Sequence, residues 1–92
     1  MICMHPGEYI NEVFIDGMGL TQRQLAEKLG VSTSTISRIL NGEMAVSADM
    51  AVKMEEAFER SAESWLVMQS SYDLMKARKA RAAFTAGARI AN

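Results

Sequence analysis

The sequence predicts an all-α fold of five helices, of which the last is the longest. Apolar residues recur at three- and four-residue steps along the chain, which is the helical period, and strand-like alternation is absent. The single proline, Pro6, stands where a first helical turn tolerates it. With 92 residues, 49% of them hydrophobic, the chain is expected to fold as one domain over 1–92.

The first two predicted helices have clear ends. The first is expected over 6–16, with Gly17 as its terminator. Its apolar stripe comprises Tyr9, Ile10, Val13 and Phe14. The second is expected over 21–29, because Thr21 and Gln24 have the spacing of a capping box and a glycine, Gly30, follows.

Three more helices complete the prediction. A third is expected over 32–41 and a fourth after Ser47, since Ser32 and Ser47 are good N-cap residues. Their core positions are Ile36, Ile39 and Leu40 in the third helix and Met50, Ala51, Met54 and Phe58 in the fourth. A longer C-terminal helix is expected over about 62–83, and the final "TAGARIAN" is expected to be loose.

The second and third helices have the pattern of a helix-turn-helix. Two short helices are joined by about three residues with a glycine, Gly30, at the joint. A small residue, Ala26, stands where the helices must approach each other. An ordinary helical hairpin in a bundle has the same corner, so the pattern alone leaves that alternative open.

The third helix is predicted to present a polar face to DNA. Ile36, Ile39 and Leu40 share one side, and Ser34, Arg38 and Asn41 lie opposite at helical spacing. That outward side has no acidic and no bulky apolar residue, as major-groove entry requires, and an arginine there pairs with guanine. The predicted base-reading residues are Thr33, Ser34, Ser37 and Arg38. For Arg38 the alternative is an ordinary solvated cation.

Phosphate contacts are expected beside that face. The first turn of the second helix has free backbone N–H groups, and these attract anions. The predicted phosphate-binding residues are Gln22, Arg23, Gln24, Thr35 and Asn41.

Charge is distributed unevenly along the chain. The formal net charge is −1, but residues 1–75 hold five basic and eleven acidic residues, whereas 76–92 hold five basic and no acidic ones. The basic tail is either a nucleic-acid or partner-binding arm or a solvated helix end.

Cysteine and histidine content excludes several kinds of site. Cys3 and His5 are single and near the chain start, so no disulfide, metal site or cofactor is expected, and no catalytic residues are identified. No signal peptide or membrane span is predicted, which favours the cytoplasm.

The segment "LTQRQLAEKLGVSTSTISRILNG" closely resembles the lambda-repressor-like (XRE-type) helix-turn-helix. The flanking "HPGEYINEVF" and "SAESWLVMQSSYDL" are similar to HigA-type antitoxins, and the resemblance covers roughly 5–76. It implies a five-helix lambda-repressor-like domain that holds a HigB/RelE-like mRNA-cleaving toxin inactive. It also implies a homodimer that represses its own operon on a palindromic operator. By position, Gln22 matches the phosphate-clamping glutamine, and Thr33, Ser34 and Arg38 match base-reading residues.

A dimer contact is predicted on the C-terminal helix. A palindrome requires two recognition helices about 34–36 Å apart, hence two subunits. The candidate contact residues are Trp65, Met68, Tyr72 and Met75, which recur at coiled-coil-like spacing. The alternative is that this stripe covers the chain's own core.

Rival functions are a phage-like repressor without a toxin, or an interaction module that has lost DNA binding. An enzyme is the weakest option. The sequence does not indicate the operator, the toxin, the toxin-binding surface or the role of 76–92.

Overall fold

The protein is entirely helical in the computed structural model, which describes residues 4–58 and 60–91, with side chains as far as Phe84. The helices are α1 (Pro6–Ile10, continued by a π-helical segment, Asn11–Asp16), α2 (Gln22–Leu29), α3 (Thr33–Leu40), α4 (Ala48–Ala57) and α5 (Ala62–Ala91). No strand occurs in the described ranges. The predicted all-α fold with a longest C-terminal helix is therefore confirmed.

The first predicted helix changes its winding half-way. The Gly17 N–H donates to the Glu12 carbonyl, five residues back, at 3.0 Å, which is the π-helical pattern. The wider turn shifts the side chains relative to a 3.6-residue period. Val13, which was expected in the apolar stripe of this helix, is therefore exposed, and Ile15 packs against the core.

Side-chain caps begin α2, α3 and α4 where the sequence predicted them. The Gln24 N–H donates to Thr21 Oγ1 at 3.1 Å, and the Thr21 N–H donates to Gln24 Oε1 at 2.8 Å, which completes the capping box. Ser32 Oγ accepts from the Thr35 N–H, and Ser47 Oγ caps α4 in the same way. These bonds satisfy helix-end donors that would otherwise have no partner.

Gly30 ends α2 in the left-handed conformation, with φ of 68°. The Val31 N–H donates to the Ala26 carbonyl and the Gly30 N–H to the Glu27 carbonyl, which together form a Schellman motif. This turn sets the angle between α2 and α3, because only one further residue, Ser32, precedes α3.

The core lies between α1 to α4 and the first half of α5. Its buried apolar residues are Ile10, Leu25, Ala26, Leu29, Ile36, Ile39, Leu40, Val46, Met50, Ala51, Met54, Phe58 and Trp65. Gly7 allows α1 to approach α3 closely, since a Cβ at this position would overlap the Ile39 carbonyl and meet Leu40 Cα at 3.0 Å. The packing of α1 therefore depends on one residue without a side chain.

Among the described residues two polar side chains, Gln69 and His5, are buried. Gln69 Oε1 accepts from the buried Val46 N–H at 2.8 Å, and its Nε2 donates to Asp73 at 3.0 Å. His5, although near the chain start, is held in place: its Nδ1 accepts from the Gly7 N–H at 2.9 Å and caps α1. Cys3 lies outside the described residues.

The C-terminal helix runs further than predicted. Residues 77–84 are all exposed, and α5 continues to Ala91, so the expected end near 83 and the expected loose tail were wrong. Alanine, lysine and arginine dominate this stretch and are strong helix formers, which explains the continuation. The molecule is accordingly elongated, with extents of 54 × 22 × 21 Å.

Candidate DNA-binding surface

The outward face of α3 is polar and accessible. Thr33, Ser34, Arg38 and Asn41 are exposed, while Ile36 and Ile39 on the opposite side are fully buried. The structure therefore separates the two faces as the helical period predicts. Helix α3 has eight residues and is about 12 Å long, which suits insertion into a major groove.

Two further predicted residues lie at the flanks of this face. Ser37 and Thr35 are half-buried. Thr35 Oγ1 lies 3.0 Å from Ser32 Oγ, so part of its hydrogen-bonding capacity is used in the N-cap of α3. Its hydroxyl remains close to the helix start, where backbone N–H groups attract phosphate.

The start of α2 forms the second part of the surface. Gln22, Arg23 and Gln24 are exposed, and the N–H groups of the first two have no acceptor within the helix. The side-chain carbonyl of Gln24 is used in the capping box, which leaves its NH₂ group as the donor for an outside acceptor. The free backbone N–H groups, the Arg23 guanidinium and the Gln24 NH₂ group are donors, as an anion site requires.

The cations of the surface differ in their partners. Arg23 Nε lies 3.5 Å from Glu27 Oε1, with both side chains largely exposed. An exposed pair of this kind contributes little, so a phosphate competes with it readily. Arg38 forms no ion pair with any residue that the structure describes. The positive charge on the α3 face therefore comes from Arg38.

The four residues of the predicted dimer contact differ in how much of their surface is accessible. Trp65 is completely buried within its own chain, so that part of the prediction was wrong, because no Trp65 surface is left for a second subunit. Met68, Tyr72 and Met75 are half-buried.

Among the described side chains of α5, the large apolar ones that are well exposed are different ones. They are Val67 (64% exposed), Leu74 (51%) and Phe84 (66%). The seven-residue step from Val67 to Leu74 is visible in the sequence and places both on one helix face. Sequence reasoning missed this face because it followed the stripe through Trp65.

The described ranges do not indicate metal binding or membrane spanning. No group of three or more His, Cys, Asp or Glu side chains there is arranged to hold a metal ion. No helix in these ranges is both long enough and apolar enough to cross a bilayer.

Comparison with known families decides which class this surface belongs to. The family model described as "Helix-turn-helix" matches residues 15–65, which is more than half of the chain and contains α2, α3 and α4. The chain belongs to this helix-turn-helix family. The corner formed by Ala26 and Gly30 is therefore a helix-turn-helix corner and not that of an ordinary helical hairpin.

Relatives place this helix-turn-helix protein among the antitoxins. It is 36% identical over 72 residues to antitoxin HigA-1 of Vibrio cholerae, covering 78% of this chain and 68% of that protein. It is 39% identical over 79 residues to virulence-associated protein I of Dichelobacter nodosus, covering 86% and 73%. Its fold matches that of Pseudomonas aeruginosa antitoxin HigA, solved with the higBA promoter, at a TM-score of 0.82, with 32% identity and 91% of each chain covered. The resemblance to HigA-type antitoxins is confirmed.

Proposed function

We propose that this helix-turn-helix protein is a sequence-specific DNA-binding antitoxin that represses its own operon and neutralises a HigB/RelE-like mRNA-cleaving toxin. The observation that carries the DNA-binding part is the exposed, acid-free face of α3 with Arg38 unpaired among the described residues. The antitoxin part is supported by the HigA relatives, one of which was solved with promoter DNA.

The proposed roles follow from the surface. Thr33, Ser34, Ser37 and Arg38 read base edges, and Gln22, Arg23, Gln24, Thr35 and Asn41 bind phosphates. Short hydroxyls permit close approach but provide few fixed contacts. DNA shape therefore contributes to specificity beside Arg38.

A homodimer on a palindromic operator is part of the proposal. Helix α5 supplies the contact through Met68, Tyr72 and Met75, extended by the neighbouring exposed Leu74. Burying Leu74 against a second subunit removes an apolar side chain from water, which stabilises the dimer.

We further propose that 1–92 acts as one helix-turn-helix domain in the cytoplasm, without a catalytic activity or cofactor of its own. Support comes from the helix-turn-helix family and from relatives that include an antitoxin and a transcriptional regulator.

The DNA-binding part is tested by titrating a labelled duplex that covers the promoter upstream of this chain's own reading frame. Specific binding that weakens steeply with salt is expected, because phosphate contacts release counterions. If the chain bound the promoter duplex no more tightly than a scrambled duplex, the remaining interpretation would be an interaction module.

The antitoxin part is tested with the product of the adjacent reading frame. Co-expression with this chain is expected to restore growth and yield a stable complex that does not cleave mRNA. Promoter binding without any such complex would indicate a plain repressor.

A further inference from the structure

A groove lies on the part of the protein formed by α1, its π-helical continuation, the end of α4 and the start of α5. It consists of one cavity of about 610 Å³ and another of about 500 Å³. Tyr9 and Arg60 line both cavities, so the two form one groove. No residue of α3 lines either cavity, which leaves the proposed base-reading face free when the groove is occupied.

Aromatic rings provide the apolar part of the groove. Phe14 and Phe58 are stacked with centroids 4.2 Å apart, and both line the larger cavity. Tyr9 stands edge-on to Phe14 at 6.4 Å and to Trp65 at 5.5 Å. Such a surface binds apolar side chains, because it removes them from water without requiring the protein to rearrange.

Arg60 sits over these rings. Its guanidinium carbon lies 4.8 Å from the Tyr9 centroid and 5.7 Å from the Trp65 centroid, so cation–π contacts hold it in place. Arg60 Nε and Trp65 Nε1 are both buried donors, and neither has a hydrogen-bond partner in the described part of the chain. Buried donors without acceptors are unfavourable, and a carboxylate is the acceptor that a guanidinium binds best.

A second cation, Lys28, lines the larger cavity and forms no ion pair with any described residue. Among the described residues no carboxylate lines either cavity, although residues 1–75 are strongly acidic. The groove is therefore a local positive region over an aromatic surface. Its charge complement is an acidic side chain next to an apolar one.

We propose that this groove binds a segment of the toxin protein in which a carboxylate neighbours an apolar or aromatic side chain. The carboxylate binds Arg60 and Lys28, and the apolar side chain packs on the Phe14–Phe58 pair. This proposal rests on the antitoxin function proposed above. It implies that toxin and operator bind separate surfaces of the chain, which share no residue, although Met68 of the proposed dimer contact also lines the smaller cavity.

The test measures binding of the purified protein encoded by the adjacent reading frame to the full chain by calorimetry. Arg60→Glu and Lys28→Glu are each expected to weaken binding roughly 30-fold or more, the loss typical of an interface hot spot. Lys28 is exposed, so Lys28→Glu is expected to keep the fold. It therefore keeps the test valid even where Arg60→Glu disturbs the aromatic packing. Lys53→Glu in α4 changes the charge equally outside both cavities and is the matched control.

A second readout follows the indole N–H resonance of Trp65, the only tryptophan in the chain. It is expected to shift when the toxin binds, and promoter affinity is expected to stay within about two-fold in all three variants, well below the hot-spot loss. The groove proposal alone would be overturned if Lys53→Glu weakened toxin binding as much as the groove variants do. It would also be overturned if toxin binding were unchanged in both Arg60→Glu and Lys28→Glu. If promoter affinity fell in parallel with toxin affinity, the groove would be a DNA contact and the proposal wrong. A wild-type chain that binds no toxin would overturn the antitoxin function itself.

Discussion

At the scale of single residues, Arg38 and Gly7 have contrasting roles, one in binding and the other in packing. Arg38 is exposed and forms no ion pair among the described residues, so its charge is available to an outside partner. Gly7 is buried where backbone meets backbone, and its contribution is the absence of a side chain. Replacing Arg38 is therefore expected to leave the fold nearly unaffected, whereas replacing Gly7 is expected to disturb the packing of α1 on α3.

Replacing Arg38 with alanine is expected to cost about 1–3 kcal/mol in operator binding and to relax the preference at one base pair. The reason is that the bidentate contact to guanine, which we propose for Arg38, is lost. Competition assays with single-base operator variants measure both effects. Gln22→Ala is the comparison, since losing a phosphate contact weakens binding evenly across sequences. If Arg38→Ala weakened binding evenly across the operator variants, Arg38 would be a phosphate contact instead.

Gly7→Ala is expected to destabilise the fold by about 1–3 kcal/mol or more, because the new Cβ overlaps the Ile39 carbonyl, which is backbone and held in place. Gly30→Ala is expected to cost only about 1–2 kcal/mol, since Gly30 has a positive φ but open space around it. Urea unfolding midpoints compare the two variants. A smaller loss of stability in Gly7→Ala than in Gly30→Ala would contradict the close packing of α1 on α3.

At the scale of elements, His5 connects the start of α1 to α5. Its Nδ1 caps α1, and its ring lies edge-on to Tyr72 of α5 with centroids 5.0 Å apart. Burial lowers the pKa of His5, while the nearby Asp73 and Glu8 carboxylates oppose the shift and Lys76 reinforces it. The cap needs an unprotonated Nδ1, so the hydrogen bond and the lowered pKa favour the same neutral form.

This cap predicts an acid-sensitive α1. Because the pKa is lower in the folded state than the unfolded value of about 6.5, the unfolded chain binds more protons as the pH falls below that value. The free energy of unfolding is therefore expected to decrease from about pH 7 to about pH 5. Urea titrations of wild type and His5→Asn measure this, since asparagine keeps a capping acceptor but does not titrate there. Equal pH dependence in both would assign the effect to other groups.

At the scale of the whole molecule, α5 determines the shape. Its first half packs on α4 and α1, and residues 77–84 are exposed and extend beyond the body. The exposed residues include the basic side chains Arg78, Lys79 and Arg81. Because this half has few contacts with the rest of the chain, it is available to partners.

Leu74→Lys is expected to shift the protein from dimer to monomer, because it places a charge in an apolar contact between two α5 helices. Leu74 is 51% exposed in the single chain, so folding is expected to be nearly unaffected. Sedimentation at low micromolar concentration measures the change. Val52→Lys is the matched control, since Val52 is 47% exposed but lies on α4. A Leu74→Lys dimer as stable as wild type would exclude this face from the contact.

The sequence by itself determined the helices, the caps and the two faces of α3. These depend on local rules: Thr21, Ser32 and Ser47 cap the helix that follows, and the 3.6-residue period separates Arg38 from Ile36 and Ile39. Interactions within a few residues are encoded locally, so a single sequence suffices to predict them.

Only the tertiary structure decided which side chains are buried by distant partners. Gln69 is buried because it satisfies the Val46 N–H, 23 residues away. Trp65 is buried completely by the packing of other helices, which the periodicity of its own helix does not reveal. The groove around Arg60 likewise joins α1, α2, α4 and α5, which no local pattern connects. Burial and shared cavities depend on how helices pack, and that packing arises from contacts between residues far apart in the chain.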